Sequence, residues 1–251
     1  MSENKLNIDE ANLSVDLSDA TQAVKDSRFQ DAIKGLKVIL KDHPDNIDTL
    51  YLAAVSSRFL KQFDDATKYI KALLSNAPDM GRAYQELGHL NRDMGNKEKA
   101  IRHYRQACEH NPALVASWNA LYQYFLKDQN QPAADHALKQ LDILKSLPGS
   151  LLYIHQVFSE GRLGLAERKC RAFLKENPTH TYAMSLLSDI ANRLGYFDDA
   201  EFLLEKAVEF KPNDGDLRLK YTSILRKKQK FAKTMELSLI HISEPTRPMN
   251  I

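Results

Sequence analysis

Apolar side chains recur at helical spacing on both sides of a polar break between Gly81 and Leu114. The two stripes are Tyr84, Leu87 and Leu90, and then Ala100, Tyr104 and Ala107. Spacings of three and four residues place such side chains on one face of a helix. Residues 93–96 interrupt the pattern, and Pro112 closes it because proline cannot donate a hydrogen bond into a continuing helix. The segment therefore predicts two amphipathic helices joined by a short turn.

The same pattern returns along most of the chain. Prolines in similar contexts lie 34 residues apart in three of their four intervals: Pro44, Pro78, Pro112, Pro178 and Pro212. A set of alanines follows the same period, with intervals of 34, 34, 34, 32 and 34 residues: Ala32, Ala66, Ala100, Ala134, Ala166 and Ala200. A fixed period of this length is typical of an array of helix hairpins.

The order of residue types resembles the tetratricopeptide repeat (TPR). In that family, helix A carries a large residue, a leucine and a small residue. A turn glycine follows, and helix B carries an alanine, an aromatic residue, a second alanine and a proline. The best match is Tyr84, Leu87, Gly88, Gly95, Ala100, Tyr104, Ala107 and Pro112. The resemblance implies an all-α fold, a right-handed superhelical solenoid of antiparallel helix hairpins.

The resemblance extends over residues 13–236. We predict repeats at 13–46, 47–80, 81–114, 115–146, 147–180 and 181–214, with a partial seventh at 215–236. Residues 1–12 form an acidic N-terminus that we expect to be flexible. The 115–146 repeat lacks the turn glycine, and the next repeat has Ile154 at the small position, so we expect irregular stacking there.

Residues 237–251 follow no repeat pattern. They resemble the in-frame translation of a transposon-type sequencing adapter, and we interpret them as non-native; a natural flexible C-terminus is the alternative. A repeat array cut in this way can belong to a longer chain. The alternative function is therefore the N-terminal TPR arm of a larger bacterial enzyme, of sulfotransferase or glycosyltransferase type, with its catalytic domain missing here.

Composition narrows the class of protein. The chain has 251 residues, 43% of them hydrophobic and 27% charged, which excludes wholesale disorder. A formal net charge of +2 predicts no generic polyanion partner. There are only two cysteines, Cys108 and Cys170, so we expect reduced, buried thiols. The sequence shows no membrane-length apolar run and no secretory signal pattern, so we predict a cytoplasmic protein without membrane contact.

No motif for catalysis is visible in the sequence. The eight histidines form no HExxH motif and no zinc spacing with the cysteines, and we interpret them as exposed helix residues. The glycines form no phosphate-binding loop. We therefore predict no enzyme activity for this fragment, no cofactor and no metal.

The resemblance places partner binding in the concave groove lined by helix A. Its second, fifth, ninth, twelfth and thirteenth positions give the candidate residues Tyr51, Arg58, Arg82, Gln85, His89, Arg92, Asn119, Gln123, Lys127, His155, Tyr182, Asp189, Asn192 and Arg193. Arginines, amides and aromatic rings suit an extended peptide or a docked helix. The chaperone-type carboxylate clamp of the family is absent, because the corresponding pairs are Tyr51/Val55, Gln85/His89 and Asn119/Gln123.

One basic run, residues 226–233, offers a further alternative. It could contact nucleic acid, with Phe231 as a stacking residue. We favour a solvated helix end instead, because Phe231 matches Phe29, Phe63 and Phe197 in the repeat. The prediction is a protein-interaction scaffold that binds a protein or peptide and not nucleic acid.

Overall fold

The computed structural model describes residues 16–228, which form thirteen helices and no strand. Residues 1–15 and 229–251 lie outside the described residues. The predicted acidic N-terminus, the end of the seventh repeat with Phe231 and the adapter-like tail fall there. The chain divides into two units at the Ser146–Leu147 bond. Within the described residues, the predicted all-α, TPR-like fold of antiparallel helix hairpins is confirmed.

The N-terminal unit contains eight helices, which pack in sequence order as antiparallel neighbours. Their bounds are α1 (16–25), α2 (Phe29–Asp42), α3 (Ile47–Phe59), α4 (Phe63–Asn76), α5 (Gly81–Asp93), α6 (Lys97–His110), α7 (Val115–Lys127) and α8 (Gln131–Lys145). The C-terminal unit contains α9 (Gly149–Ser159), α10 (Leu163–Glu176), α11 (Thr181–Leu194), α12 (Phe197–Phe210) and α13 (Gly215–Lys227). Odd-numbered helices are the A helices, and even-numbered helices are the B helices.

Each turn from an A helix to a B helix contains one residue with a left-handed backbone. These residues are Ser27, Lys61, Gly95, Gln129, Gly161 and Gly195, with φ between 56° and 84°. A left-handed residue ends a helix by reversing the chain within a few residues. The turn at Gln129 shows that the 115–146 repeat adopts this backbone without the glycine whose absence marked it as irregular.

Close packing of α5 on α6 explains why the repeat pattern has a small residue, Gly88, on helix A. A Cβ atom at Gly88 would lie 2.6 Å from the ring of Tyr104, whose side chain is fully buried. Gly81 is similarly constrained, since its Cβ atom would lie 2.8 Å from Cβ of Asn111. Asn111 is itself buried, and its side chain accepts a hydrogen bond from the backbone of Ala113, which fixes the turn that leads into α7.

The apolar core of each unit runs between consecutive hairpins. In the N-terminal unit, Leu50, Ile70 and Leu90 belong to one cluster that joins two repeats. In the C-terminal unit, Leu151 and Ile190 belong to another. Because each hairpin buries its apolar face only against its neighbours, stability in such an array is carried by nearest-neighbour contacts. None of the described helices has both the length and the hydrophobicity needed to cross a membrane.

Candidate functional site

The predicted groove residues lie on the A helices of both units. In the N-terminal unit, α5 contacts both α3 and α7, and the side chains of these three helices form a surface that we call the N-terminal A face. It carries Tyr51 and Arg58 on α3, Arg82, Gln85, His89 and Arg92 on α5, and Asn119, Gln123 and Lys127 on α7. The C-terminal A face, on α9, α11 and α13, carries His155, Tyr182, Asp189, Asn192 and Arg193.

Arg58 lies at the base of the N-terminal A face and is only 7% exposed. Its Nε donates to Glu86 Oε2 at 2.8 Å, and its Nη1 donates to Asp93 Oδ2 at 3.0 Å. Arg92 extends the network, because its Nη2 lies 2.9 Å from Asp93 Oδ1. This ion-pair network ties α3 to α5. Arg58 is thus engaged within the protein.

The network changes the pKa values of its members. Burial raises the pKa of Glu86, and the charge of Arg58 only partly offsets that rise. Burial alone would lower the pKa of Arg58, but the two carboxylates raise it overall. For Asp93, hydrogen bonds from Arg58 and Arg92 outweigh partial burial and lower the pKa. Removing Arg58 would therefore leave the buried carboxylate of Glu86 without a compensating charge.

His89 lies against the buried Tyr104. Its Nδ1 is 2.7 Å from the Tyr104 hydroxyl, and the two rings meet edge to face. Burial, followed by the positive charges of Arg58 and Arg92, lowers the pKa of His89 to about 4. The prediction that the histidines are exposed is wrong for five of them, which are partly buried: His89, His103, His110, His155 and His180.

Away from the ion-pair network, the N-terminal A face becomes more open. Arg82 stacks over the ring of Tyr51 at 4.4 Å. Gln85 Oε1 accepts a hydrogen bond of 3.0 Å from Ser117, so its amide nitrogen remains a donor. Arg92, Asn119, Gln123 and Lys127 are exposed. The three residues on α7 follow one another at intervals of four, so they lie along one side of that helix.

The C-terminal A face is also joined by contacts between neighbouring A helices. Lys220 Nζ lies 3.0 Å from Ser185 Oγ and 2.5 Å from Asp189 Oδ2. Lys227 donates to Asn192 at 2.9 Å. Arg193 lies over the ring of Phe158 at 5.2 Å.

Two titratable side chains of this face, His155 and Tyr182, are partly buried. Burial lowers the pKa of His155 to about 4, and burial together with Asp189 raises the pKa of Tyr182 to about 12. The histidine is therefore neutral and the phenol protonated at pH 7. Each can only take part in binding through hydrogen bonds and ring contacts.

Sequence reasoning missed the carboxylates and the lysine that hold these faces together. Glu86, for example, lies three residues after Ala83 and four before Leu90, on the apolar stripe of α5. A charge on an apolar stripe is the signal that could have revealed a buried ion pair. Lys220 carried no such signal, because α13 alternates polar and apolar residues there.

Other candidate chemistry finds structural explanations. The thiols of Cys108 and Cys170 are buried, as predicted, and burial raises both pKa values to about 12, so neither is a nucleophile at neutral pH. In the basic run, Lys228 pairs with Asp198 and Glu201. Within residues 16–228, no group of three or more His, Cys, Asp or Glu side chains is placed to hold a metal ion.

The 34-residue spacing of these hairpins agrees with a comparison to known protein families. The family models described as tetratricopeptide repeat match residues 81–114 and residues 182–214. These two segments are therefore similar to tetratricopeptide repeats. No curated protein matches the chain significantly.

Several solved structures are similar to this chain. A thermophilic TPR protein of Thermus thermophilus is 20% identical over 85% of this chain and 98% of its own, with a TM-score of 0.47. The pilF protein of Pseudomonas aeruginosa is 16% identical over 87% of this chain and 98% of its own, with a TM-score of 0.49. The MamA protein is 18% identical over 80% of this chain and 92% of its own, with a TM-score of 0.45.

Proposed function

We propose that this protein is an interaction scaffold that binds an extended peptide or a partner helix on the N-terminal A face. TPR repeats are typical of protein-interaction modules rather than enzymes, which supports the general class. The observation that carries the specific proposal is the row of exposed hydrogen-bonding side chains along α7, on the same face as the Arg82–Tyr51 stack between α5 and α3.

The face offers more donors than acceptors to a partner. Gln85 presents its amide nitrogen, and the exposed groups of Arg92 and Lys127 are cationic. Donors of this kind suit backbone carbonyls and carboxylates of a bound segment. Arg58, Glu86 and Asp93 do not touch the partner in this proposal; they hold α3 and α5 at a fixed separation.

A peptide selected against the full chain tests the proposal. Peptides taken from a random display library are measured by fluorescence anisotropy against a triple variant, Arg92→Ala, Gln123→Ala and Lys127→Ala. We expect binding to fall by about tenfold or more, which corresponds to about 1.4 kcal/mol. The matched control replaces Gln30, Lys99 and Lys139, which are exposed on B helices, by alanine. An equal loss in both variants would contradict binding on the A face.

The role of this chain as an arm of a longer enzyme stays a prediction. It is tested by the reading frame that follows residue 236 in the natural gene. A strand and a phosphate-binding loop encoded there would support it, and an early stop codon would remove it.

A further inference from the structure

The B helices of the N-terminal unit carry a regular set of exposed cations. In α2, α4 and α6, a lysine or arginine lies two residues after the repeat alanine and another lies five residues after it. These six residues are Lys34, Lys37, Lys68, Lys71, Arg102 and Arg105. We call these six side chains the basic stripe. All six are exposed. Since equivalent positions of successive repeats recur in register in a stacked array, we expect the three pairs to follow one another along one surface.

The cations of the basic stripe differ from the three arginines of the N-terminal A face in how they are paired. Arg58, Arg82 and Arg92 each have a carboxylate oxygen within 4.0 Å. In the basic stripe only Lys68 does, with Asp65 at 3.6 Å; among residues 16–228 the other five have none. Arg105 also lies over the ring of Phe125 at 5.3 Å, but the ring has no negative charge to neutralise the guanidinium. The stripe is thus a concentration of positive charge that the overall net charge of +2 conceals.

Carboxylates border the stripe on both sides. Acidic residues occupy the first turns of the three helices: Asp31, Asp64, Asp65 and Glu98. Asp42 and Glu109 lie towards the opposite ends of α2 and α6. The paired cations are three residues apart in each helix, so the positive band is about one helical turn, or roughly 5 Å, wide.

We propose that the basic stripe binds an acidic protein segment, extended or helical, that runs across α2, α4 and α6. The width of the band favours this partner. A nucleic-acid duplex or an anionic bilayer is wider than the band and would also face the bordering carboxylates, with repulsion that offsets the attraction. Single-stranded nucleic acid is disfavoured because none of the six side chains is aromatic, and base stacking supplies much of the affinity of such sites. The stripe lies on B helices, so this proposal is independent of binding on the A face.

The experiment compares three probes on the full chain. They are a fluorescein-labelled 15-residue peptide of alternating Glu and Ala, a 15-base-pair DNA duplex, and vesicles with 30% phosphatidylserine. The stripe variant replaces all six cations by glutamine. The matched control replaces six other exposed lysines by glutamine and so removes the same net charge: Lys25, Lys61, Lys145, Lys169, Lys175 and Lys211. Circular dichroism establishes that both variants remain helical.

We expect the peptide to bind the unmodified chain, more weakly as salt is raised, and to lose about tenfold or more in affinity with the stripe variant. The control should lose less than about threefold. Equal losses in both variants would overturn the proposal, because net charge alone would then explain binding. Absence of peptide binding, or tighter stripe-dependent binding of the duplex or the vesicles, would overturn it as well. Peptides selected for the A face should bind the stripe variant unchanged, which separates the two proposals.

Discussion

At the scale of single residues, the left-handed turn positions show how one backbone is built from different side chains. Three of the six positions have glycine, and the others have serine, lysine and glutamine. A side chain in this conformation meets its own backbone at a cost of about 1–2 kcal/mol. Glycine avoids that cost but gives up about 0.5–1 kcal/mol of chain entropy on folding.

Gln129→Gly should therefore stabilise the protein by about 0.5–1 kcal/mol, because relief of strain exceeds the entropy cost. Urea unfolding followed by circular dichroism measures the change. The opposite substitution, Gly95→Ala, should destabilise by about 1 kcal/mol. A Gln129→Gly variant that unfolds at lower urea than the parent would show that the glutamine side chain makes a compensating contact.

His89 gives the fold a dependence on pH. Its pKa is about 4 in the folded protein and 6.5 when unperturbed. Below pH 6.5 the unfolded chain therefore binds a proton that the folded chain does not, so stability is full above about pH 6.5 and is lost as the pH falls towards 4. His89→Gln should make the unfolding midpoint less dependent on pH in this window. His136→Gln, at an exposed position, is the control. An equal change in pH dependence in that variant would contradict the role of His89.

At the scale of helices, the contact between α5 and α6 depends on the absence of a side chain at Gly88. Gly88→Ala should destabilise the protein by about 1–3 kcal/mol, because the new methyl group would overlap the Tyr104 ring. Gly35→Ala on α2 is the matched control. No atom lies within 4 Å of a Cβ added there, so helix propensity should stabilise by about 0.5–1 kcal/mol. Thermal unfolding should move in opposite directions for the two variants.

The contact between α3 and α5 depends on the Arg58 ion pairs. Arg58→Met should destabilise by about 3–5 kcal/mol, since it leaves the carboxylate of Glu86 buried without a partner. Adding Glu86→Leu should recover most of that loss, because an apolar pair of similar volume carries no desolvation cost. Additive losses in the double variant would show that the two side chains act independently.

At this scale, much of the fold could be predicted from the sequence. The alanine and proline period reports the packing positions of each hairpin, such as Gly88 and Ala100, which are dictated by local geometry. The arrangement on the A face could be predicted less well. Family positions place Gln85 on α5 and Arg58 on α3 at equivalent sides of their helices. Whether each side chain points outward depends on partners about 30 residues away, such as Glu86 and Ser117. No periodic signal reports those contacts.

At the scale of the molecule, stability should be local. Because each hairpin is stabilised by its neighbours, a perturbation should fade within one or two repeats. In the Gly88→Ala variant, amide hydrogen exchange followed by mass spectrometry should accelerate most in α5 and α6, less in α3, α4, α7 and α8, and not in α11 and α12. Uniform acceleration across both units would indicate a single cooperative transition instead.

The recurring left-handed turns have a consequence for protein engineering. Five successive segments begin and end at the same backbone geometry: from Ser27 to Lys61, and onward to Gly95, Gln129, Gly161 and Gly195. The backbone therefore reverses direction in the same left-handed turn at the start and at the end of each segment. A gene cut at these codons yields interchangeable cassettes, and a shuffled or lengthened array could be assembled without designing a new connector.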